Sequence, residues 1–221
     1  MGIDRSTTGH RKPGVYSRGA ETVDAILEAA LHVLVEEGAS AFSLQRIATR
    51  CGLKVGHVNH HFPRKELLIE VLLDEILLAG EKQINEAMEQ PGFLDKDGLA
   101  RLITFILDDV STKQTAYLFT ELWAMANHNA VVASRLEALH RHVHQLITEV
   151  VESMNPALSR DEASVVAIFI YGAVDGMTMF SGYGRPWVSD MPSVKKVAIK
   201  ALVDLAKTIT PDDISKLTPA Q

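Results

Sequence analysis

Apolar residues recur at helical spacing along almost the whole chain, and no run of useful length alternates apolar with polar residues. That periodicity calls for helices and leaves little material for a sheet. From Glu21 onward, Val23, Ile26, Leu27, Ala30, Leu31, Leu34 and Val35 keep the helical interval, and Glu36-Glu37-Gly38 closes the run. Two shorter units follow. Ser43 is a good N-cap before Leu44, Ile47 and Ala48, and that run stops at Cys51-Gly52. The second carries Val55, Val58 and His61-Phe62, ahead of Pro63, where a new helix can open. The spacing then predicts longer helices over 65–89, 97–111, 115–127, 130–153, 159–182 and 192–208, followed by a polar tail. Pro91-Gly92, Asn155-Pro156 and the Gly182–Pro186 stretch supply breaks, and Ser159 with Glu162 forms a capping box. The expected fold class is all-α with about nine helices. A three-helix N-terminal domain precedes a larger helical one.

At 221 residues, with 47% hydrophobic and 23% charged side chains, the chain can bury a sizeable core. No apolar run approaches the ~18 residues needed to span a bilayer, so no membrane is expected as a partner. The N-terminus is polar and basic, unlike a secretory signal. A lone cysteine, Cys51, cannot form an internal disulfide, which fits a reducing, cytoplasmic setting. The net charge of -6 is unevenly spread. Residues 1–65 carry nine Lys/Arg against six Asp/Glu, and the remainder thirteen against twenty-two. A basic end on an acidic body suits contact with a polyanion through that end alone. Residues 1–19 read as a basic arm, 20–65 as the small helical domain and 66–221 as the larger one.

Two short helices joined by a tight glycine-bearing turn, after a longer helix, have the layout of a helix-turn-helix. Gly52 gives the turn its backbone freedom. Ile47, Ala48, Leu53 and Val58 are expected to form the small core between the two helices, and Phe62 to anchor the second one. Gly56 would let the second helix lie close to a phosphate backbone. Lys65 opens a long helix, where free N–H groups and the ammonium can both meet a phosphate.

Residues 43–68 resemble the helix-turn-helix signature of the TetR family of transcriptional regulators. The features that carry the resemblance are Ile47-Ala48, Gly52 with an apolar neighbour, Gly56, Val58, His61-Phe62 and Lys65-Glu66-Leu67. The resemblance extends upstream to about residue 20. It implies a dimeric regulator, expected to be a repressor, that binds a palindromic double-stranded DNA operator and is released by a small hydrophobic or aromatic effector. It puts Lys54, Gly56, His57, Asn59 and His60 on the DNA-reading face, and Arg18, Ser43 and Lys65 complete the expected contact set. Asn59 can pair with an adenine edge, and either His57 or His60 with guanine or phosphate. The sequence departs from the family at Asn59, where a tyrosine is more usual. His57 and His61 share a helical face, as metal ligands would, but no cysteine or carboxylate nearby completes a set.

The resemblance further implies that 159–182 and 192–208 pair with their copies in a second subunit as a four-helix bundle. Gly172 and Gly176, one turn apart, fit close helix approach. Phe119, Trp123, Met125, Asn127, Tyr171, Met177 and Phe180 are candidates to line an effector pocket. His128, His140 and His144, with Glu137 or Glu121, offer an alternative, a metal-responsive regulator. The chain has no HExxH, nucleophile elbow, P-loop or dinucleotide fingerprint. No enzymatic activity and no cofactor are therefore expected. A purely architectural DNA-binding protein would not need so large an apolar body.

Overall fold

A computed structural model of the chain describes residues 17–88 and 97–216. Among them are ten α-helices, two short 3-10 turns and no strands. The helices are α1 (Ser17–Glu37), α2 (Leu44–Arg50), α3 (Val55–His61), α4 (Lys65–Met88), α5 (Gly98–Val110), α6 (Lys113–Ala126), α7 (Ala130–Met154), α8 (Arg160–Phe180), α9 (Met191–Thr208) and α10 (Pro211–Lys216). Most of the basic arm lies outside the described residues. One helix departs from the expected pattern: α10 replaces the polar tail. Thr210 and Asp213 cap each other reciprocally, Thr210 N–H donating to Asp213 Oδ2 at 3.0 Å and Asp213 N–H to Thr210 Oγ1 at 3.3 Å. Pro211 sits at the first helical position.

The chain divides into two compact units. One comprises residues up to Gly80 together with Tyr117–Leu136. Its core joins Ile26, Ala30 and Val33 of α1, Ile47 of α2, Val58 of α3 and Phe62 to Leu68, Leu72 and Leu73 of α4. Leu118 and Leu122 of α6 and Val132 of α7 fill the same cluster. The first turns of α4 and the end of α6 share their apolar stripes with α1–α3.

The other unit comprises Glu81–Ala116 with Glu137–Gln221. Here α5 packs against both α8 and α9. Leu99, Leu102, Ile103, Leu107 and Val110 form its buried stripe. Buried Asn155 ends α7 and donates to the carbonyls of Ala206 and Ile209 at 3.1 and 2.8 Å, tying α7 to the end of α9. Lys195 of α9 pairs with Asp108 of α5.

Helix α8 is apolar on two sides. Ala163, Val166, Ala167, Ile170 and Val174 are buried. Val165, Ile168, Phe169, Met179 and Phe180 are exposed, with Ile168 at 61% and Phe169 at 60%. Alone among the described helices, α8 is long and apolar enough by composition to cross a bilayer, with about a third of that stretch buried. Its double-sided apolar character gives it that composition, and an apolar helix of this kind normally has both sides covered.

The capping box at the start of α8 is formed as the sequence predicts. Ser159 N–H and hydroxyl both donate to Glu162 Oε2 at 2.8 Å, and Glu162 N–H donates to Ser159 Oγ at 3.3 Å. These donors, the Ser159 backbone N–H foremost, hold the Glu162 carboxyl below its ordinary pKa. A carboxyl lowered in the folded state stabilises above the unfolded pKa, and that contribution is lost as pH falls through the folded value. Glu162→Gln should therefore lower the thermal midpoint most at neutral pH. The gap to the parent protein should close as pH drops below the carboxylate range, as followed by circular dichroism melts.

Candidate nucleic-acid interface

The connection between α2 and α3 has the geometry of a Schellman turn. Leu53 N–H donates to the Ala48 carbonyl at 2.9 Å, and Gly52 N–H to Thr49 at 3.3 Å. Gly52 holds φ +69°, a conformation that glycine alone adopts without strain. At the other end of α2, Ser43 Oγ accepts the Arg46 N–H at 3.2 Å, as an N-cap should. Phe62 N–H closes α3 onto the Val58 carbonyl at 2.8 Å. Val58 and Phe62 are buried in the shared core, so the position of α3 is fixed from beneath.

That anchoring decides what α3 presents. With about 100° between successive residues, Gly56, His57, Asn59 and His60 fall on the side opposite Val58, and all four are exposed. Lys54, the N-cap of α3, is exposed too, as are Ser43 and Lys65. His61 is half-buried and its ring meets that of His60 edge-on at 5.4 Å. Arg18 lies at the start of α1, with its side chain outside the described residues.

Between Glu37 and Glu66 the chain contains no acidic residue, while Arg46, Arg50, Lys54, Arg64 and Lys65 are basic. Arg46 is committed to α1, its Nε donating to Glu37 Oε2 at 2.6 Å, and that partner raises its pKa. Arg50 and Arg64 are exposed cations on this surface that the family signature does not single out. The absence of acidic neighbours was the signal for them. Exposed basic residues on an acid-free stretch of chain, around a helix held from below, can accept phosphate oxygens and present side chains to base edges.

The other sequence candidates are divided between the two units. Phe119 and Met125 pack against the first unit's core, whereas Trp123 and Asn127 are exposed. Met125 also lines a cleft of about 380 Å³. On α8, Tyr171 is half-buried with its hydroxyl 2.8 Å from His140 Nδ1 in a hydrogen bond. Burial, then the charge of Asp175, raises the Tyr171 pKa, and burial also raises that of Asp175. Met177 is half-buried near Ser181, and Phe180 is exposed.

The histidines do not form the metal site weighed in the sequence. His140 engages Tyr171, and His144 Nε2 lies 3.1 Å from the Ser164 carbonyl oxygen. Glu121 binds a backbone amide. Among the described residues no three His, Cys, Asp or Glu side chains converge to hold a metal ion.

The fold and this surface define a helix-turn-helix protein built to meet DNA. Residues 26–72 match the family model described as bacterial regulatory proteins, tetR family, and residues 95–195 match that of the BetI-type transcriptional repressor, C-terminal. The chain belongs to the TetR family of transcriptional regulators. It is 23% identical over 150 residues to an uncharacterized HTH-type transcriptional regulator in the dhlA 5′ region of Xanthobacter autotrophicus, covering 66% of this chain and 71% of the relative. It is 25% identical over 177 residues to the HTH-type transcriptional regulator CymR of Pseudomonas putida, covering 74% and 81%. Its fold is similar to the crystal structure of a putative transcriptional regulator from Saccharomonospora viridis in complex with choline. The TM-score is 0.65 at 16% identity, covering 86% of this chain and 97% of that one.

Gly52→Ala should isolate the turn's contribution. Nothing lies within 4 Å of a Cβ built at this position, so the cost comes from the left-handed backbone alone. About 1–2 kcal/mol of lost stability is expected, read from urea unfolding, with the helical circular dichroism of the folded state retained.

Proposed function

We propose that the protein is a ligand-responsive repressor that binds a palindromic operator as a homodimer and is released by a small hydrophobic or aromatic effector. The observation that carries this reading is the exposed face of α3, set in a basic stretch, residues 38–65, that contains no acidic residue. On it, Lys54, Gly56, His57, Asn59 and His60 would meet the major groove. Ser43, Lys65 and Arg18 would contact the phosphates, with Arg50 and Arg64 added to them. In this reading residues 20–65 contact DNA and 66–221 sense and pair, and the protein acts in the cytoplasm, where the DNA is.

The second copy is assigned to the uncovered side of α8. Val165, Ile168, Phe169, Met179 and Phe180 continue one stripe there. Gly172 and Gly176 lie along α8, and a Cβ at either position would meet nothing within 4 Å, leaving room for a partner helix to approach. Val197 extends exposed apolar surface on α9. An operator with two half-sites needs two reading helices at fixed spacing, and a pair of chains supplies them. Within the second unit, half-buried Tyr171 and Met177 remain proposed effector contacts. The choline complex of the Saccharomonospora viridis relative supports a small organic effector as a class.

DNA selected from a random pool provides the test. Lys65→Ala should weaken binding to selected and random duplexes alike and reduce the slope of log affinity against log salt by about one. Unchanged affinity and slope would remove Lys65 from the contact set. Replacing Asn59 or His57 should instead change which sequences are selected. Phe169→Glu should convert the dimer to monomer in sedimentation velocity and abolish tight operator binding. A variant that still sediments as a dimer would remove α8 from the pairing surface.

A further inference from the structure

The short turn that leads from α1 into α2 is held by a helix far along the chain. Glu121 of α6 accepts the Ala39 N–H on Oε2 at 2.8 Å, across 82 residues of sequence. Ala39 opens the 3-10 turn Ala39–Ala41, whose N-cap is Gly38. A glycine has no side chain to satisfy an N-terminal amide, so the carboxylate of Glu121 performs the capping from outside. Its other oxygen lies 3.2 Å from where a Cβ on residue 38 would stand, and Gly38 has φ +83°. Glycine is thus needed twice here: for its backbone angle and for the room it leaves to the carboxylate.

The same turn is fastened on its other flank by Glu37 and Arg46, which join α1 to α2. That pair lies wholly within the helix-turn-helix. The Glu121 contact does not. Helix α6 starts in the second compact unit, to which residues up to Ala116 belong, and ends in the first from Tyr117 onward. Beside the clamped turn is the cleft of about 380 Å³, whose lining includes Ala39, Phe42, Lys65, Ile69, Met125 and His128. Leu118 and Leu122 pack α6 into the core on one side, and the cleft leaves the side toward Met125 and His128 open.

We propose that Glu121 is the positioning residue through which α6 sets the α1–α2 turn, and with it the placement of α2 and α3 on DNA. With the Ala39 N–H bound, the turn keeps its observed form. A displacement of α6 that withdraws the carboxylate releases the turn. The inference rests on the proposed regulatory function and names the side chain that would transmit it.

Coupling between two sites is reciprocal in binding free energy, so DNA on α3 must be felt in α6. The experiment is hydrogen–deuterium exchange on the full-length protein, with and without a duplex selected from a random pool. In the parent protein the duplex should slow exchange across residues 113–126. Glu121→Ala should bind the duplex about fivefold or more weaker and lose that slowing in α6. Glu121→Asp, too short to reach Ala39, should behave the same way and serves if the alanine variant does not fold. Glu121→Gln, which keeps an acceptor at the same reach, should restore both properties. That rescue distinguishes positioning from general loss of structure. If α6 is slowed equally in the parent and in Glu121→Ala or Glu121→Asp, or if sequence-selective binding leaves α6 unaffected in the parent, the coupling role is overturned. If the parent does not distinguish selected from random DNA, the proposed function itself fails.

Discussion

Helices α2 and α3 contain seven residues each, and helices of that length do not persist alone in water. Everything they offer to DNA depends on the apolar cluster beneath them. Ile47 and Val58 are fully buried in that cluster, which α1, α4, α6 and α7 complete. The Schellman turn at Gly52 and the N-cap at Ser43 fix where the helices begin and end, but they could not hold the pair without the core. One result is a surface that stays polar and basic, because every large apolar residue on α2 and α3 is at least half-buried.

The local elements were legible in the sequence because they are written in neighbouring residues. Ser43, Gly52 and the Ser159–Glu162 box act within a single turn, and the structure forms all three. Helix α10 carries the same kind of signal in Thr210-Pro211-Asp212-Asp213, a cap followed by a proline and two acids. What sequence periodicity does not contain is the identity of the partner. The stripes of α4 and α6 announce buried faces without saying that they face α1–α3. Likewise, a histidine at helical spacing shows a face but not its neighbour. Only the packing of α7 on α8 assigns His140 to Tyr171 and His144 to Ser164. For the candidate site, exposure on α3 followed from Val58 being inward. Arg50 and Arg64 required attention to missing acids rather than to a motif.

Helix α8 joins the architecture to the proposed assembly. One of its sides closes the second unit, and the other leaves large apolar side chains in water, a costly exposure for a lone chain. The bonds of His140 to Tyr171 and of His144 to Ser164 give the α7–α8 pairing a register. Glu121 has an analogous place in the first unit, a single directional bond set among non-directional packing. Both features concern geometry more than overall stability, as the proposed pairing of two reading helices in a defined arrangement would require.

The central claim is that this arrangement reads a two-fold DNA site. The most direct measurement is sedimentation equilibrium of the protein with fluorescent duplexes carrying both selected half-sites, one half-site or neither. The account predicts two chains per duplex on the complete site, formed cooperatively, with much weaker binding to a single half-site and a steep loss of affinity as salt rises. Equal affinity for all three duplexes, or one chain bound to the complete site, would contradict it.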